Sequence, residues 1–156
     1  MLNDKQSLIM QTSIGVVLVD ELVEPGGALR MQRSFTNVLS GDVQKSSAFY
    51  ENLLGMTRHF ESVWFVILTH KDIDGLEFGI LQRDHAIVPP DIRAKPAGVI
   101  VTFVVADCDE VYRKAMAAGA SVIEGPTDMP YGQRRMLLHD PDGTVLDVSA
   151  PTSAVV

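Results

Sequence analysis

The chain has 156 residues and a net charge of −7, so it can build one domain with a sizeable core and has no electrostatic attraction for nucleic acid or anionic lipid. Its best apolar run, Ile14–Val19, is far shorter than the about 20 residues that cross a bilayer. The N-terminus lacks a secretion signal, and one cysteine excludes an internal disulfide. We expect a cytoplasmic protein that binds a small molecule rather than nucleic acid or a membrane.

Residues 1–32 form the first predicted segment. The stretch Ile14–Leu22, a Glu-Pro-Gly-Gly sequence and a second apolar stretch from Ala28 are typical of a strand, a turn and a strand. Met31 is a natural start for the domain that follows, so the choice of gene start is an alternative origin for the segment. We interpret it as an N-terminal extension, either a strand or an arm, and assign it no function.

Two segments have apolar residues at helical spacing, Val43–Leu54 and Cys108–Ala118. Each follows an aspartate suited to an N-cap and ends at a glycine suited to a C-cap, the pairs being Asp42 with Gly55 and Asp107 with Gly119. Both segments are therefore predicted helices with one buried face. The residues predicted to pack against a sheet are Tyr50, Leu53, Leu54, Val111, Ala115 and Met116.

The other apolar residues come in short runs rich in Val and Ile, which is typical of strands. One run leads into each capping aspartate, and three more follow each helix: 56–62, 64–70 and 76–82 in the first half, and 120–124, 134–138 and 145–149 in the second. The unit βαβββ therefore occurs twice. We divide the chain into modules 33–87 and 97–150, with a proline-rich connection at 88–98 and a tail at 151–156.

Three segments carry a family resemblance: GDVQKSSAFYENLLGM at 41–56, FVVADCDEV at 103–111 and PYGQRRMLLHDPDGTVLDV at 130–148. With them the chain resembles the vicinal oxygen chelate superfamily of glyoxalases, bleomycin-resistance proteins and extradiol dioxygenases. The resemblance covers residues 33–150. It implies an α+β fold in which two βαβββ modules in tandem form a cleft from curved sheets.

The resemblance also implies where metal-dependent members hold their ion, at four positions shared between the modules. In this chain those positions hold Phe35, Glu77, Ile100 and Asp147. Two carboxylates could hold a hard cation in principle. However, Phe35 and Ile100 place hydrocarbon at the other two positions, so we expect the metal site to be lost and no other cofactor to be bound.

The predicted ligand-binding residues are Phe35, Asn37, Trp64, His70, Ile100, Thr102, Tyr131, Arg134 and Arg135. Residues two apart on a strand share a face, so Phe35 and Ile100 share theirs with one polar neighbour each, in a largely apolar wall. Trp64 and Tyr131 are candidates for stacking on a planar or cationic ligand. The two arginines point opposite ways, so one is solvated while the other reaches an anionic ligand or Asp147. The alternative is a closed core without a cavity.

Glu77 and Asp147 are the candidate catalytic residues. If both face one apolar cleft, burial and mutual repulsion raise their pKa values toward the range of general acids and bases. A pair of carboxylates in that cleft would equally suit a cationic ligand. The alternative is structural, because carboxylates paired with arginine or backbone amides are as common as catalytic ones.

We therefore predict a metal-independent small-molecule-binding protein of the bleomycin-resistance type, whose ligand is partly aromatic or cationic. The alternative is a lyase, isomerase or dioxygenase-type enzyme that uses Glu77 and Asp147, with or without a divalent metal. We also expect a homodimer. The segment 64–69 is apolar on both faces and carries no charge, as expected of a strand edge that needs a partner.

Overall fold

The computed structural model describes residues 30–152. The predicted strand, turn and strand between Ile14 and Ala28 lie outside the described residues, as does the end of the tail. Residues 30–35 are grouped apart from the chain that follows, and within them the guanidinium carbon of Arg33 lies 4.7 Å from the centre of the Phe35 ring. The helices and strands below all belong to the part that begins at Thr36.

The first module has the predicted βαβββ order. Its elements are β1 (Thr36–Ser40), α1 (Val43–Leu54), β2 (Thr57–Glu61), β3 (Phe65–His70) and β4 (Ile73–Gln82). The sheet has the strand order β1-β4-β3-β2, in which β1 is parallel to β4 and the other neighbours are antiparallel. A connection with a single 3-10 turn at Pro90–Ile92 leads to the second module.

The second module repeats the first. Its elements are β5 (Ile100–Val104), α2 (Cys108–Ala117), β6 (Ser121–Met129), β7 (Gln133–His139) and β8 (Val145–Pro151). The strand order is β5-β8-β7-β6, again with one parallel pair, β5 and β8. The predicted α+β fold with two βαβββ modules in tandem is confirmed.

Aspartates begin both helices, as predicted. The side chains of Asp42 and Asp107 each accept a hydrogen bond from the backbone N–H three residues later, at 3.0 and 3.1 Å. Gly55 and Gly119 follow the helices with φ of 67° and 68°, a conformation that glycine adopts without strain. Neither described helix has the length and hydropathy that crossing a membrane requires.

One apolar core joins the helices to one side of each sheet. Its strand residues include Val38, Val66, Leu68, Phe78, Ile80, Met136, Leu138, Leu146 and Val148. From the helices, Tyr50, Leu53, Val111 and Ala115 are buried as predicted, and Leu54 is half-buried. The prediction for Met116 is wrong, because this side chain is 53% exposed. Successive helical residues differ by about 100°, so burial of Ala115 turns its neighbour toward solvent.

The position of β3 corrects the reason given for a dimer. β3 lies between β2 and β4, so its backbone is paired on both sides and it is not an edge. Phe65, Val66, Ile67 and Leu68 are all buried, which explains why the segment is apolar on both faces. The edge strands of the two sheets are instead β1, β2, β5 and β6.

The Asp-Pro-Asp-Gly turn of the second module is bonded to the first module. Asp140, which is 4% exposed, accepts a hydrogen bond from the hydroxyl of Tyr50 at 2.7 Å. Asp142 accepts from the backbone N–H of Gly41 at 2.8 Å and from the hydroxyl of Ser46 at 2.5 Å. These bonds hold the turn against α1 and the β1–α1 connection and so tie the modules together.

Candidate functional site

The side of the second sheet that faces away from the helices is here called the second open face. Alternation along the strands places on it Ile100, Thr102, Val104, Gln133, Arg135, Leu137, Val145, Asp147 and Ser149. Their neighbours Val148, Met136 and Leu138 point into the core. Thr102 and Leu137 pair in register with Asp147 from either side, so the carboxylate lies at the centre of this face.

Three polar atoms on the second open face are buried without a hydrogen-bond partner. Within the described part of the chain, six buried side-chain nitrogen or oxygen atoms lack one. Three of the six are Oε1 of Gln133, Nε of Arg135 and Oδ1 of Asp147, which lie on the neighbouring strands β7 and β8. Buried polar groups are nearly always hydrogen-bonded, so this clustering marks the face as a candidate ligand site.

Opposite charges meet on this face. Burial raises the pKa of the Asp147 carboxyl, and the charge of Arg135 acts in the opposite direction. A second nitrogen of Arg135, Nη2, lies 3.4 Å from Oε1 of Glu124 on β6. The guanidinium of Arg135 therefore interacts with two carboxylates, those of Asp147 and Glu124. These charged groups, together with Gln133 and Ser149, are here called the cluster, and it carries more negative than positive charge.

Asp147 leads to a prediction on pH dependence. Its pKa is raised in the folded chain, so the folded state holds the proton more tightly than the unfolded state does. The free energy of unfolding should therefore fall as pH rises from about 4, the ordinary pKa of aspartate, through the folded-state pKa. Asp147→Asn should remove this loss. Chemical denaturation at several pH values should show that the free energy of unfolding of the variant increases relative to that of the wild type as pH rises.

Asp109 is a matched control, because its pKa is shifted in the direction opposite to that of Asp147. The hydrogen bond from Arg134 lowers the pKa of its carboxyl, so its stabilising effect is present above the ordinary pKa and is lost as pH falls through the folded-state value. Asp109→Asn should therefore lose stability relative to the wild type as pH rises. The same sign of change in both variants would contradict the assignment for Asp147.

The two adjacent arginines face opposite ways, as alternation predicts. Arg134 points to the helix side, where it pairs with Asp109 at 2.6 Å and Asp128 at 2.9 Å. Arg135 is the one on the second open face. Tyr131, in the turn before β7, is 63% exposed and acts electrostatically on Arg135, so it lies at the border of the same face.

The first sheet has an open face of its own, where Asn37 lies against Gly79 in register. A Cβ at Gly79 would meet Oδ1 of Asn37 at 1.8 Å, so a larger residue there would displace the Asn37 side chain from its present position. Trp64 is buried and its ring stacks on that of His85, with centroids 4.0 Å apart. Trp64 is therefore packed against the segment that leaves β4 toward the second module.

His70 and Glu77 line a cavity between the two modules. This inter-module groove has a volume of about 730 Å³ and lies between the end of α1 and the first turns of α2, above β4 and β5. Glu77 belongs to β4 of the first sheet and Asp147 to β8 of the second. The charge that acts on Asp147 comes from Arg135.

The residues present do not fit a four-ligand metal site. Ile100, at one of the four positions, is a hydrocarbon side chain that is 60% exposed, and Phe35 offers no ligand atom either. Among residues 30–152, no three His, Cys, Asp or Glu side chains lie close enough together to hold an ion.

We predict that protein purified without chelator contains no stoichiometric transition metal. Neither Phe35 nor Ile100 can donate an electron pair, so the remaining carboxylates would bind such ions weakly. Elemental analysis gives the metal content, and dialysis against chelator should leave the unfolding temperature unchanged. A stoichiometric metal whose removal lowers that temperature would overturn the prediction.

Two residues of the cluster were missed from sequence: Gln133 and Glu124. Gln133 lies two residues from Arg135 on its strand, so alternation alone could have found it, as it placed Ser149 on the same face as Asp147. Glu124 carried no such signal. β6 has register shifts on both sides of it, so the face that a β6 side chain occupies cannot be counted from the strand ends.

Comparison with known proteins agrees with this architecture. The profile of the Glyoxalase/Bleomycin resistance protein/Dioxygenase superfamily matches residues 33–148. A candidate glyoxylase, CFP32, from Mycobacterium bovis and Mycobacterium tuberculosis is 30% identical over 145 residues. The match covers 88% of this chain and 48% of the mycobacterial protein, so the chain spans about half the length of these curated relatives.

Solved structures share the fold at lower identity. A glyoxalase/bleomycin resistance protein/dioxygenase family enzyme from Burkholderia phytofirmans is 21% identical with a TM-score of 0.66, covering 76% of this chain and 97% of that one. A glyoxalase/bleomycin resistance protein/dioxygenase from Nocardioides is 19% identical with a TM-score of 0.60, covering 96% and 95%. At these identities the likeness concerns the fold alone.

Proposed function

Because the chain belongs to the Glyoxalase/Bleomycin resistance protein/Dioxygenase superfamily, we propose that it is a small-molecule-binding protein of the bleomycin-resistance type. Its ligand is partly aromatic or cationic and is bound on the second open face without a metal. The proposed location is the cytoplasm, a reducing compartment that suits the buried free thiol of Cys108.

The proposal rests on the three unpaired atoms of the second open face. Oε1 of Gln133 and Oδ1 of Asp147 accept hydrogen bonds, whereas Nε of Arg135 donates one. A buried group without a partner costs about 1 to 3 kcal/mol, so a ligand that supplies the partners recovers that free energy. The apolar side chains of Ile100 and Leu137 on the same face suit an aromatic body.

Charge favours a cation over an anion at this face. Glu124 and Asp147 contribute two carboxylates, and Arg135 contributes one guanidinium. An ammonium group near Asp147 would stabilise its ionised form and offset the burial that raises its pKa. An anionic ligand would instead compete with both carboxylates for the one arginine.

A thermal-shift screen with aromatic amines, aromatic acids and glutathione adducts tests the proposal. A ligand that binds only the folded chain adds about 2.7 kcal/mol of stability at a concentration of 100 Kd. Aromatic amines should raise the unfolding temperature in a concentration-dependent way, and Asp147→Asn should reduce the shift. No shift with any class, or a preference for the acids, would contradict the proposed ligand chemistry.

Catalysis is the second candidate function, and the raised pKa of Asp147 favours it. Burial raises the pKa of the Asp147 carboxyl, and a carboxyl that holds its proton more tightly is better suited to act as a general acid or base. The relatives named as candidate glyoxylases point to a lyase or isomerase of the glyoxalase type. Glu77 lies in the other sheet, so Asp147 carries this role. Turnover that Asp147→Asn abolishes while binding persists would favour the enzyme.

We also propose a homodimer with its ligand sites near the interface. β5 is an edge strand with β8 as its one neighbour in the sheet, and its side chains Ile100 and Val104 are 60% and 62% exposed. An apolar edge of this kind is a template for pairing with a second copy. Light scattering at micromolar concentration should give twice the chain mass of 17.0 kDa.

Charged substitutions separate this interface from other exposed apolar side chains. Val104→Lys should shift the mass toward the monomer, because burying an unpaired ammonium at an interface is strongly unfavourable. Val63→Lys is the matched control, since Val63 is 78% exposed in the turn before β3. A monomeric wild type, or dissociation by both substitutions alike, would contradict a β5 interface.

A further inference from the structure

The inter-module groove is a second concavity, and most of its lining lies outside the second open face. Its floor includes Leu76 of β4 together with Val101 and Phe103 of β5. Val101 and Phe103 pack against the core on the helix side of the sheet, opposite to the face that carries Thr102 and Asp147. Thr102 and Val104 of the second open face also border the groove, so a molecule in the groove differs from a ligand at Asp147 by its contacts with Leu76, Val101 and Phe103.

The floor of the groove is apolar and accessible. Leu54, Leu76, Val101, Phe103 and Val105 line it, and all five are half-buried rather than fully buried. Their remaining exposed surface would leave water if an apolar group filled the groove, which is favourable by about 25 cal/mol per Å². The volume of about 730 Å³ lies within the range of small-molecule sites.

The rim of the groove is acidic on both walls. Asp72 belongs to the first module, whereas Asp107 and Glu110 belong to α2 of the second. The charged lining comprises four carboxylates against one lysine, Lys114, whose ammonium pairs with Glu110 at 3.1 Å. His70, the other basic residue of the lining, accepts a hydrogen bond at Nδ1 from the backbone N–H of Asp72.

From the apolar floor and the acidic rim we propose that the inter-module groove binds amphiphilic organic cations. The apolar part of the ligand lies on Leu76, Val101 and Phe103. Its ammonium group lies at the mouth, between carboxylates contributed by both modules. An anion of the same shape would meet the same floor but would be repelled at the rim, so charge is the property that selects the ligand.

Nuclear magnetic resonance titration with phenethylammonium, and with phenylacetate as an anion of similar size, tests the proposal. Phenethylammonium should shift the amide signals of Leu76, Val101, Phe103 and Val105, and phenylacetate should leave them in place. The shifts should persist in Asp147→Asn, which separates the groove from the second open face. Shifts confined to the second open face, no shifts at all, or equal effects of both probes would overturn the proposal.

Paired substitutions test the role of the rim. Asp72→Asn with Glu110→Gln should raise the apparent Kd of phenethylammonium about fivefold, since about 1 kcal/mol separates a near charge pair from a neutral one in water. Asp84→Asn with Asp91→Asn removes the same charge at exposed positions outside the groove and should leave the Kd unchanged. An unchanged Kd in the rim variant, or equal weakening in the control, would overturn the proposal.

Discussion

Asp140→Ala should lower the free energy of unfolding by about 4 kcal/mol, because it leaves several buried donors without an acceptor. Oδ2 of Asp140 accepts from the hydroxyl of Tyr50 at 2.7 Å. Oδ1 accepts from the backbone N–H groups of Asp142 and Thr144 at 2.9 and 2.8 Å. A domain of this size has a total stability of about 5 to 15 kcal/mol, so the loss is a large fraction of it.

Urea denaturation of single and double variants isolates the bond between the modules. Tyr50→Phe alone should cost about 1 to 2 kcal/mol, the net value of a hydrogen bond to a charged group. Its cost in the Asp140→Ala background should be smaller, because the acceptor is already absent. Asp84→Ala, at an exposed loop position, is the control. A loss below about 1 kcal/mol for Asp140→Ala would contradict a buried network.

Tyr50 adds a pH signature to the same test. Burial and the neighbouring carboxylate of Asp140 raise the pKa of the Tyr50 hydroxyl far above its ordinary value. The unfolded state therefore loses this proton first, and the free energy of unfolding should fall as pH rises above about 10. Tyr50→Phe should remove this contribution. An identical alkaline loss in both proteins would contradict the burial of a neutral hydroxyl.

The helices and the repeat could be predicted because their signals are local. Asp42 and Asp107 bond to backbone groups three residues away, and Gly55 and Gly119 adopt the conformation that ends a helix. The lateral order of the strands depends on contacts between distant residues. An apolar strand such as β3 is compatible with a bare edge or a central position, so its place could not be derived from its own residues.

For the candidate site, the sequence could predict which residues share one face of a strand, but not which face of the sheet they occupy. The adjacent arginines had to point opposite ways, but which one faces away from the helices depends on the register of β7 against β8. The contacts of Trp64 could not be predicted for a different reason. Its stacking on His85 depends on the path of the inter-module connection, which no strand or helix pattern specifies. The residues that share a face with Asp147 could be identified because β8 has regular alternation.

The lack of partners at the second open face has a physical interpretation. A site that binds a ligand through Gln133, Arg135 and Asp147 must leave those atoms without intramolecular partners, which lowers the stability of the unliganded chain. Arg134, on the same strand, shows the contrast, since both Asp109 and Asp128 pair with it. The two arginines therefore provide a matched comparison between a structural role and the proposed binding role.

Arg135→Lys should weaken binding of the ligand found in the thermal-shift screen by about tenfold or more, because a hydrogen bond involving a charged group is worth about 1.5 to 3 kcal/mol. Lysine keeps the positive charge but lacks the Nε–H that is buried without a partner. Arg134→Lys makes the same change on the helix side and should leave the Kd unchanged, although it weakens the pairs with Asp109 and Asp128. Calorimetric titration of both variants gives the comparison. Equal Kd values in Arg135→Lys and the wild type would exclude Nε of Arg135 from binding, and equal weakening in both variants would indicate a loss of sheet structure instead.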